Sequence, residues 1–301
     1  MKRFIHACLV FVTAAVMLSG CATYNLIKAA PSQSQPVSVA FSTAGASGWN
    51  DLPIGAYRVP DSQVVISGHQ KSGVGFLFGV AGILVQNAVQ SGQGASRVAD
   101  VREILKIEIT NEAQRISNAL IESGQFGTTF STSSTGGGPV LSVDQYIVIT
   151  YLNDVDVRPY VVLKATLRGP NNNSLWTSRY IASTDKALPL EGDQSFTADN
   201  GARLKAAIAK DLEAGIKIML SDVASPRVRD ESKLLYVEST VPFMRQRLGM
   251  VGYEIVQDDQ SVVFAPKAAD ALVFAGVHVM DKSVTTYRAA TPADKFKLVE
   301  E

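Results

Sequence analysis

Hydrophobic residues follow two clear spacings in the middle of the chain, between about residues 100 and 224. Alternation with a period of two predicts strands at about 141–152, 160–168 and 174–182, separated by turn-forming residues at Asn153-Asp154 and Gly169-Pro170. Helical spacing predicts one helix that begins near Thr110 and ends at Gly124. It also predicts a long amphipathic helix at about 199–223. This region therefore combines a sheet with helices that cover it.

Shorter patterns flank this region on both sides. Alternation predicts strands at 37–41, 64–66 and 105–109. After Ser225-Pro226 the pattern predicts strands near 234–237, 253–256 and 271–280, with a helix at 241–250. Superposing Gly124 on Gly252 brings the two halves into register, as in a weak internal repeat. We therefore expect an α+β fold of small mixed or antiparallel sheets, each covered by amphipathic helices, with two related α/β units as one option.

The segment from Val74 to Val89 is unusually apolar and rich in glycine. Its twelve uncharged residues 74–85 correspond to about 18 Å of helix, which is too short for the roughly 30 Å hydrocarbon core of a bilayer. Gly75 and Gly79 have the G-x-x-x-G spacing that lets helices approach closely, and Gly82 is nearby. Two interpretations remain open: a buried helix or loop of the domain, or a contact for the membrane or for self-association.

The amino terminus has the pattern of a bacterial export signal. Lys2 and Arg3 precede a largely apolar run that ends at Leu18-Ser19-Gly20-Cys21. These last four residues resemble the lipobox of bacterial lipoproteins. The resemblance implies that a signal peptidase recognises Leu18, Ser19 and Gly20, that the chain is cut before Cys21, and that Cys21 carries the lipid. Ala22, in place of an aspartate, implies retention at the periplasmic face of the outer membrane.

Composition narrows the remaining functions. The only other cysteine, Cys8, lies inside the signal, so the mature chain would have no thiol pair for a disulfide. Lys plus Arg and Asp plus Glu balance at 28 each, which argues against nucleic acid as a partner. We predict this organisation: signal peptide 1–20, tether 21–36, amino-terminal strands and apolar segment 37–99, α/β domain 100–224, and a smaller carboxyl-terminal α/β unit 225–301 with a loose tail.

Candidate catalytic and metal-binding residues are few. His69 is expected in a surface loop, and His278 is expected to face opposite to its apolar neighbours in a strand. Asp154 with Asp156, and Asp258 with Asp259, are the best metal candidates, but their turn positions are typical of solvated acids. We therefore expect no catalytic residue, no metal and no cofactor other than the lipid on Cys21.

Residues 100–223 also resemble the small α/β domain of periplasmic auxiliary lipoproteins, which include transport-associated lipoproteins and, more loosely, the curli-secretion lipoprotein group. The shared features of this range are the order of strand, helix ending in glycine, strands and long closing helix. Outside this range, Ala269-Asp270-Ala271 resembles a strand start seen in the same broad group. The lipobox, the tether and the lack of a catalytic signature favour a non-enzymatic lipoprotein that binds the membrane through its lipid and an envelope protein as adapter, in envelope assembly, transport or secretion. The alternative is an oligomeric or pore-associated lipoprotein that uses segment 74–89.

Overall fold

The computed structural model describes residues 28–42, 52–53, 56–68, 93–132, 137–183, 186–257, 259–267 and 274–299. Within these ranges, 14 strands form one mixed sheet. The strands are β1 Val37–Phe41, β2 Tyr57–Arg58, β3 Val64–Ser67, β4 Phe130–Ser131, β5 Val140–Tyr151, β6 Asp156–Arg168, β7 Ser174–Ser183, β8 Leu188–Pro189, β9 Leu234–Ser239, β10 Leu248–Gln257, β11 Ser261–Pro266, β12 Val277–Asp281, β13 Thr286–Ala289 and β14 Lys297–Leu298. The two long helices are α1 Thr110–Glu122 and α2 Ala198–Ala224.

The three longest neighbouring strands, β5, β6 and β7, form the antiparallel centre of the sheet. Strands β5 and β6 pair from Val140↔Arg168 to Tyr151↔Val157 without a break. The turn between them is stabilised by the Asn153 side chain, whose Oδ1 accepts hydrogen bonds from the N–H groups of Val155 and Asp156. The predicted strands of this region are confirmed because alternating apolar residues and strong turn signals agree there.

The remaining strands extend the sheet from both sides of this centre. Strands β1 and β3 lie end to end along β5, and both run parallel to it. On the other side β12 runs parallel to β7, and β11, β10, β9 and β13 follow in antiparallel order. The strands after residue 225 therefore continue the same sheet.

Both long helices cover one face of the sheet, as their amphipathic patterns predict. The main hydrophobic cluster joins α2 residues such as Leu212 and Ile216 to Leu163 of β6. Helix α2 packs closely on the strands at Gly215, where an added Cβ would lie 3.2 Å from a Leu163 methyl carbon. The regular part of α2 begins after Gly201, because residues 199–201 have left-handed backbone angles. No helix among the described residues is both long and apolar enough to cross a membrane.

The opposite face of the sheet has two smaller hydrophobic clusters. One contains Val148, Tyr160 and Ile181, and is covered by Phe243 from the connection between β9 and β10. The other contains Met250 and Phe264 on the carboxyl-terminal strands. Hydrophobic clusters therefore lie on both faces of the sheet.

The expected α+β class, with separate small sheets each covered by helices, is wrong. The fold is β-rich, with one large sheet, because β12 pairs with β7 and joins the two expected units. Val263 and Val279 of the carboxyl-terminal strands belong to the same hydrophobic cluster as α2. The expected pair of related α/β units therefore does not exist as two helix-covered sheets.

Three local predictions are also wrong. The expected helix at 241–250 is replaced by a turn and by β10, which begins at Leu248. The expected strand at 105–109 is irregular, because the Ser62 hydroxyl bonds the backbone of Leu105 and Ile107. The charged end, expected to be loose, contributes β14, which pairs with β10.

Candidate functional site

The amino-terminal segment joins the folded body at Trp176 of β7. The Trp176 indole N–H donates a 2.9 Å hydrogen bond to the backbone carbonyl of Lys28. Ala30 is buried in the main hydrophobic cluster, and the chain then enters β1 at Val37. The part of the expected tether that the structure describes, residues 28–36, therefore begins at a contact with the sheet.

A groove of about 590 Å³ runs beside the outer side of α2. The loop after α1 forms part of its wall, and residues of β11 and β12 form another part. Its apolar lining residues are Phe126, Ala214, Ile218, Ala224, Val256 and Val279, and its charged lining residues are Lys210, Glu213, Lys217, Arg227 and Asp281. This volume lies within the range of about 300–1,000 Å³ that is usual for small-molecule sites. This mixed lining offers apolar surface beside charged side chains, whose methylene groups can also lie along a hydrocarbon chain.

A buried ionic cluster holds the carboxyl-terminal end of α2 next to this groove. Both Arg229 amino groups bond the Asp222 carboxylate, at 2.9 and 3.3 Å, and the Tyr180 hydroxyl donates to the same carboxylate at 2.9 Å. The Asp222 side chain is only 1% exposed. Burial, followed by the adjacent Asp222 charge, raises the pKa of Tyr180 well above its ordinary value, so Tyr180 remains a hydrogen-bond donor. The cluster ties α2 to β7 and to the loop after α2.

A second charged cluster lies at the carboxyl-terminal end of β5, beside Tyr151. Arg97 and Arg245 lie 3.3 and 3.1 Å from the same Asp154 oxygen, and the Arg97 guanidinium is 4.6 Å from the centre of the Tyr151 ring. Gly68 also adjoins this site, because an added Cβ would collide with the Tyr151 carbonyl oxygen. The described residues on either side of segment 69–92 therefore meet at Tyr151.

The predicted acidic pairs do not form a metal centre in the described part of the chain. Asp154 is paired with arginines, and Asp156 accepts a hydrogen bond from Asn153. Asp259 is exposed, and Asp258 lies outside the described residues. Within the described ranges, no group of three or more His, Cys, Asp or Glu side chains could hold a metal ion.

His278 faces opposite to Val277 and Val279, as predicted, but it is buried. One ring nitrogen, Nε2, lies 2.7 Å from the Phe274 carbonyl oxygen. Burial, with a smaller effect of the Arg179 charge, lowers the pKa of His278 to about 4. The imidazole is therefore neutral at neutral pH and packs as part of the sheet. His69 lies outside the described residues.

The other residues singled out from the sequence also lie outside the described ranges. They are the lipobox residues Leu18, Ser19, Gly20 and Cys21, and the glycines Gly75, Gly79 and Gly82. Sequence reasoning missed the Trp176 contact and the groove beside α2. The sequence did contain a signal for the groove, because the apolar residues Ala214 and Ile218 lie among charged residues on the outer side of α2.

Comparisons with protein-family models, with curated proteins and with solved structures found no match to this chain.

Proposed function

We propose that this protein is a non-enzymatic lipoprotein, anchored by Cys21 at the periplasmic face of the outer membrane. It acts there as an adapter for an envelope protein in assembly, transport or secretion. The Leu18 to Cys21 motif supports the anchor. The contact that carries the geometric part of the proposal is the hydrogen bond from Trp176 to Lys28. It joins the sheet to the chain only seven residues after the proposed lipid.

This contact determines how the body would be presented to the membrane. Seven extended residues span at most about 25 Å, so Lys28 stays within that distance of the lipidated residue. Trp176 pairs with Leu167, whereas Tyr151 pairs with Val157 at the other end of β6. Ten residues of strand correspond to about 33 Å. The Trp176 end is therefore held near the membrane, and the Tyr151 end is available for a partner farther away.

The burial of His278 argues against this histidine as a general base. A general base needs to reach its substrate with a pKa near the working pH. His278 is 2% exposed and has a pKa of about 4. Its hydrogen bond to the Phe274 carbonyl oxygen gives it a structural role.

The anchor is tested with one variant and a matched control. Cys21→Ala is expected to lose palmitate labelling and to accumulate as uncut precursor, because the acceptor sulfur is gone. Cys8→Ala removes the other cysteine, within the signal, and is expected to keep both labelling and processing. Palmitate labelling that persists in Cys21→Ala would contradict the proposal.

The adapter role is tested in the same cells by crosslinking. Wild type and Cys8→Ala are expected to form a crosslink to one envelope protein, and Cys21→Ala is expected to lose it because the body no longer reaches its place of action. An unchanged crosslink pattern in Cys21→Ala would show that the partner does not depend on the anchor.

A further inference from the structure

We propose that the groove beside α2 shelters one acyl chain of the lipid on Cys21 when the protein is away from a membrane. The inference rests on the proposed function, because it requires that Cys21 is lipidated. It adds an intramolecular binding site for the lipid, which the lipobox by itself does not imply.

The groove has the surface chemistry that a hydrocarbon chain requires. Phe126, Ala214 and Ile218 are only half-buried, so they leave apolar surface open to water. Lys210 and Lys217 stand beside this surface on exposed positions of α2. Long lysine side chains can lay their methylene groups along an apolar ligand while the ammonium group stays in water. These two lysine side chains can therefore cover an acyl chain without burying their charges.

The length of the amino-terminal segment allows Cys21 to approach the groove. Trp176, which holds Lys28, and Tyr180 lie four residues apart on β7, or about 13 Å. Tyr180 bonds Asp222, and the neighbouring residue Ser221 lines the groove. Lys28 follows Cys21 by seven positions, which span at most about 25 Å. An acyl chain on Cys21 can therefore enter the Ser221 end of the groove while the folded body stays unchanged.

The free energy of burial favours an acyl chain in the groove when the protein is in water, and it allows the chain to leave the groove at a membrane. Each methylene group removed from water lowers the free energy, so an exposed acyl chain favours an apolar binding site. A groove on the protein surface that is open to solvent buries a chain less completely than a bilayer does. The chain is therefore expected to leave the groove for a membrane.

The test uses the full lipidated protein and a photoreactive residue. We introduce p-benzoylphenylalanine in place of Ala214, in the groove, and separately in place of Ala206, an exposed position on the same helix that does not line the groove. After removal of detergent and irradiation, the α2 peptide is analysed by mass spectrometry. We expect the Ala214 position to form a crosslink to the protein's own amino-terminal lipopeptide, and the Ala206 position to give only background.

Ser221 provides a second groove position if the probe at Ala214 disturbs folding, which circular dichroism would detect. Palmitate labelling of each sample separates the two proposals, because a chain without lipid contradicts the proposed function. A lipidated chain with no crosslink from either groove position would overturn the sheltering proposal. A crosslink to free lipid, or to another copy of the chain, would overturn it as well, because the groove would then have a different occupant.

Discussion

At the scale of single residues, His278 links the stability of the fold to pH. Its pKa of about 4 in the folded protein lies below the usual value of 6.5, so the unfolded chain binds a proton more readily. Stability is therefore lost as the pH falls from about 6.5 towards 4, and it reaches its full value above 6.5. The shift corresponds to about 3 kcal/mol between these limits.

The variant His278→Gln tests this assignment. A glutamine amide can still donate to the Phe274 carbonyl oxygen but does not titrate, so the variant should lose about 3 kcal/mol less free energy of unfolding between pH 7 and pH 4 than wild type. Urea unfolding at both pH values measures the difference. Equal losses in the two proteins would show that His278 does not carry this part of the pH dependence.

The position of His278 could be predicted from the sequence, but its environment could not. Alternation in Val277-His278-Val279 assigns the imidazole to the face opposite its neighbours, as observed. The same alternation suggests a half-exposed strand, whereas His278 is 2% exposed. His278 lies between Phe264 of β11 and Ile181 of β7, and the period of its own strand does not identify these neighbours.

At the scale of elements, the end of α2 depends on the Asp222 carboxylate. Replacing it by an amide in Asp222→Asn leaves the Arg229 guanidinium, 9% exposed, without its counter-ion. Breaking a buried ion pair from one side costs about 3–5 kcal/mol. Tyr180→Phe removes only one hydrogen bond to the carboxylate and should cost about 1–3 kcal/mol.

We predict the order of these two losses in the free energy of unfolding, and urea denaturation measures both. Asp222→Asn is expected to destabilise the protein more than Tyr180→Phe does. The opposite order, or a loss below 1 kcal/mol for Asp222→Asn, would show that Arg229 finds another partner or water when the carboxylate is removed.

The helices and strands for which two sequence signals agree were predicted correctly. Helices α1 and α2, and strands β5 to β7, combine a long period with strong turn or stop residues. The expected helix at 241–250 failed because Met244 and Leu248 satisfy helical spacing by chance. In the structure Leu248 pairs with Ser239 in the sheet, and Gly252 pairs with Pro266. Short apolar patterns do not distinguish a helix from a buried strand.

At the scale of the whole molecule, the pairing of β7 with β12 makes one sheet from two expected units. The two strands run parallel, and their pairing brings together residues about one hundred positions apart, such as Tyr180 and Val277. Neither strand carries a local signal for its partner, because most residues of both strands are buried and the period of one strand does not identify its neighbour. The groove beside α2 also depends on this strand pairing, because residues of β11 and β12 form one wall of the groove.

A shared sheet predicts that residues 28–299 unfold as one unit. Val279 of β12 is 3% exposed and packs in the same hydrophobic cluster as α2. Val279→Ala should therefore lower the stability of the whole body by about 2 kcal/mol, and it should shift one urea transition without splitting it. The control Val228→Ala changes a side chain that is 83% exposed and should stay within about 0.5 kcal/mol of wild type. If Val279→Ala unfolded in two transitions, with tryptophan fluorescence and far-ultraviolet circular dichroism reporting different midpoints, the carboxyl-terminal strands would be an independent unit despite their pairing with β7.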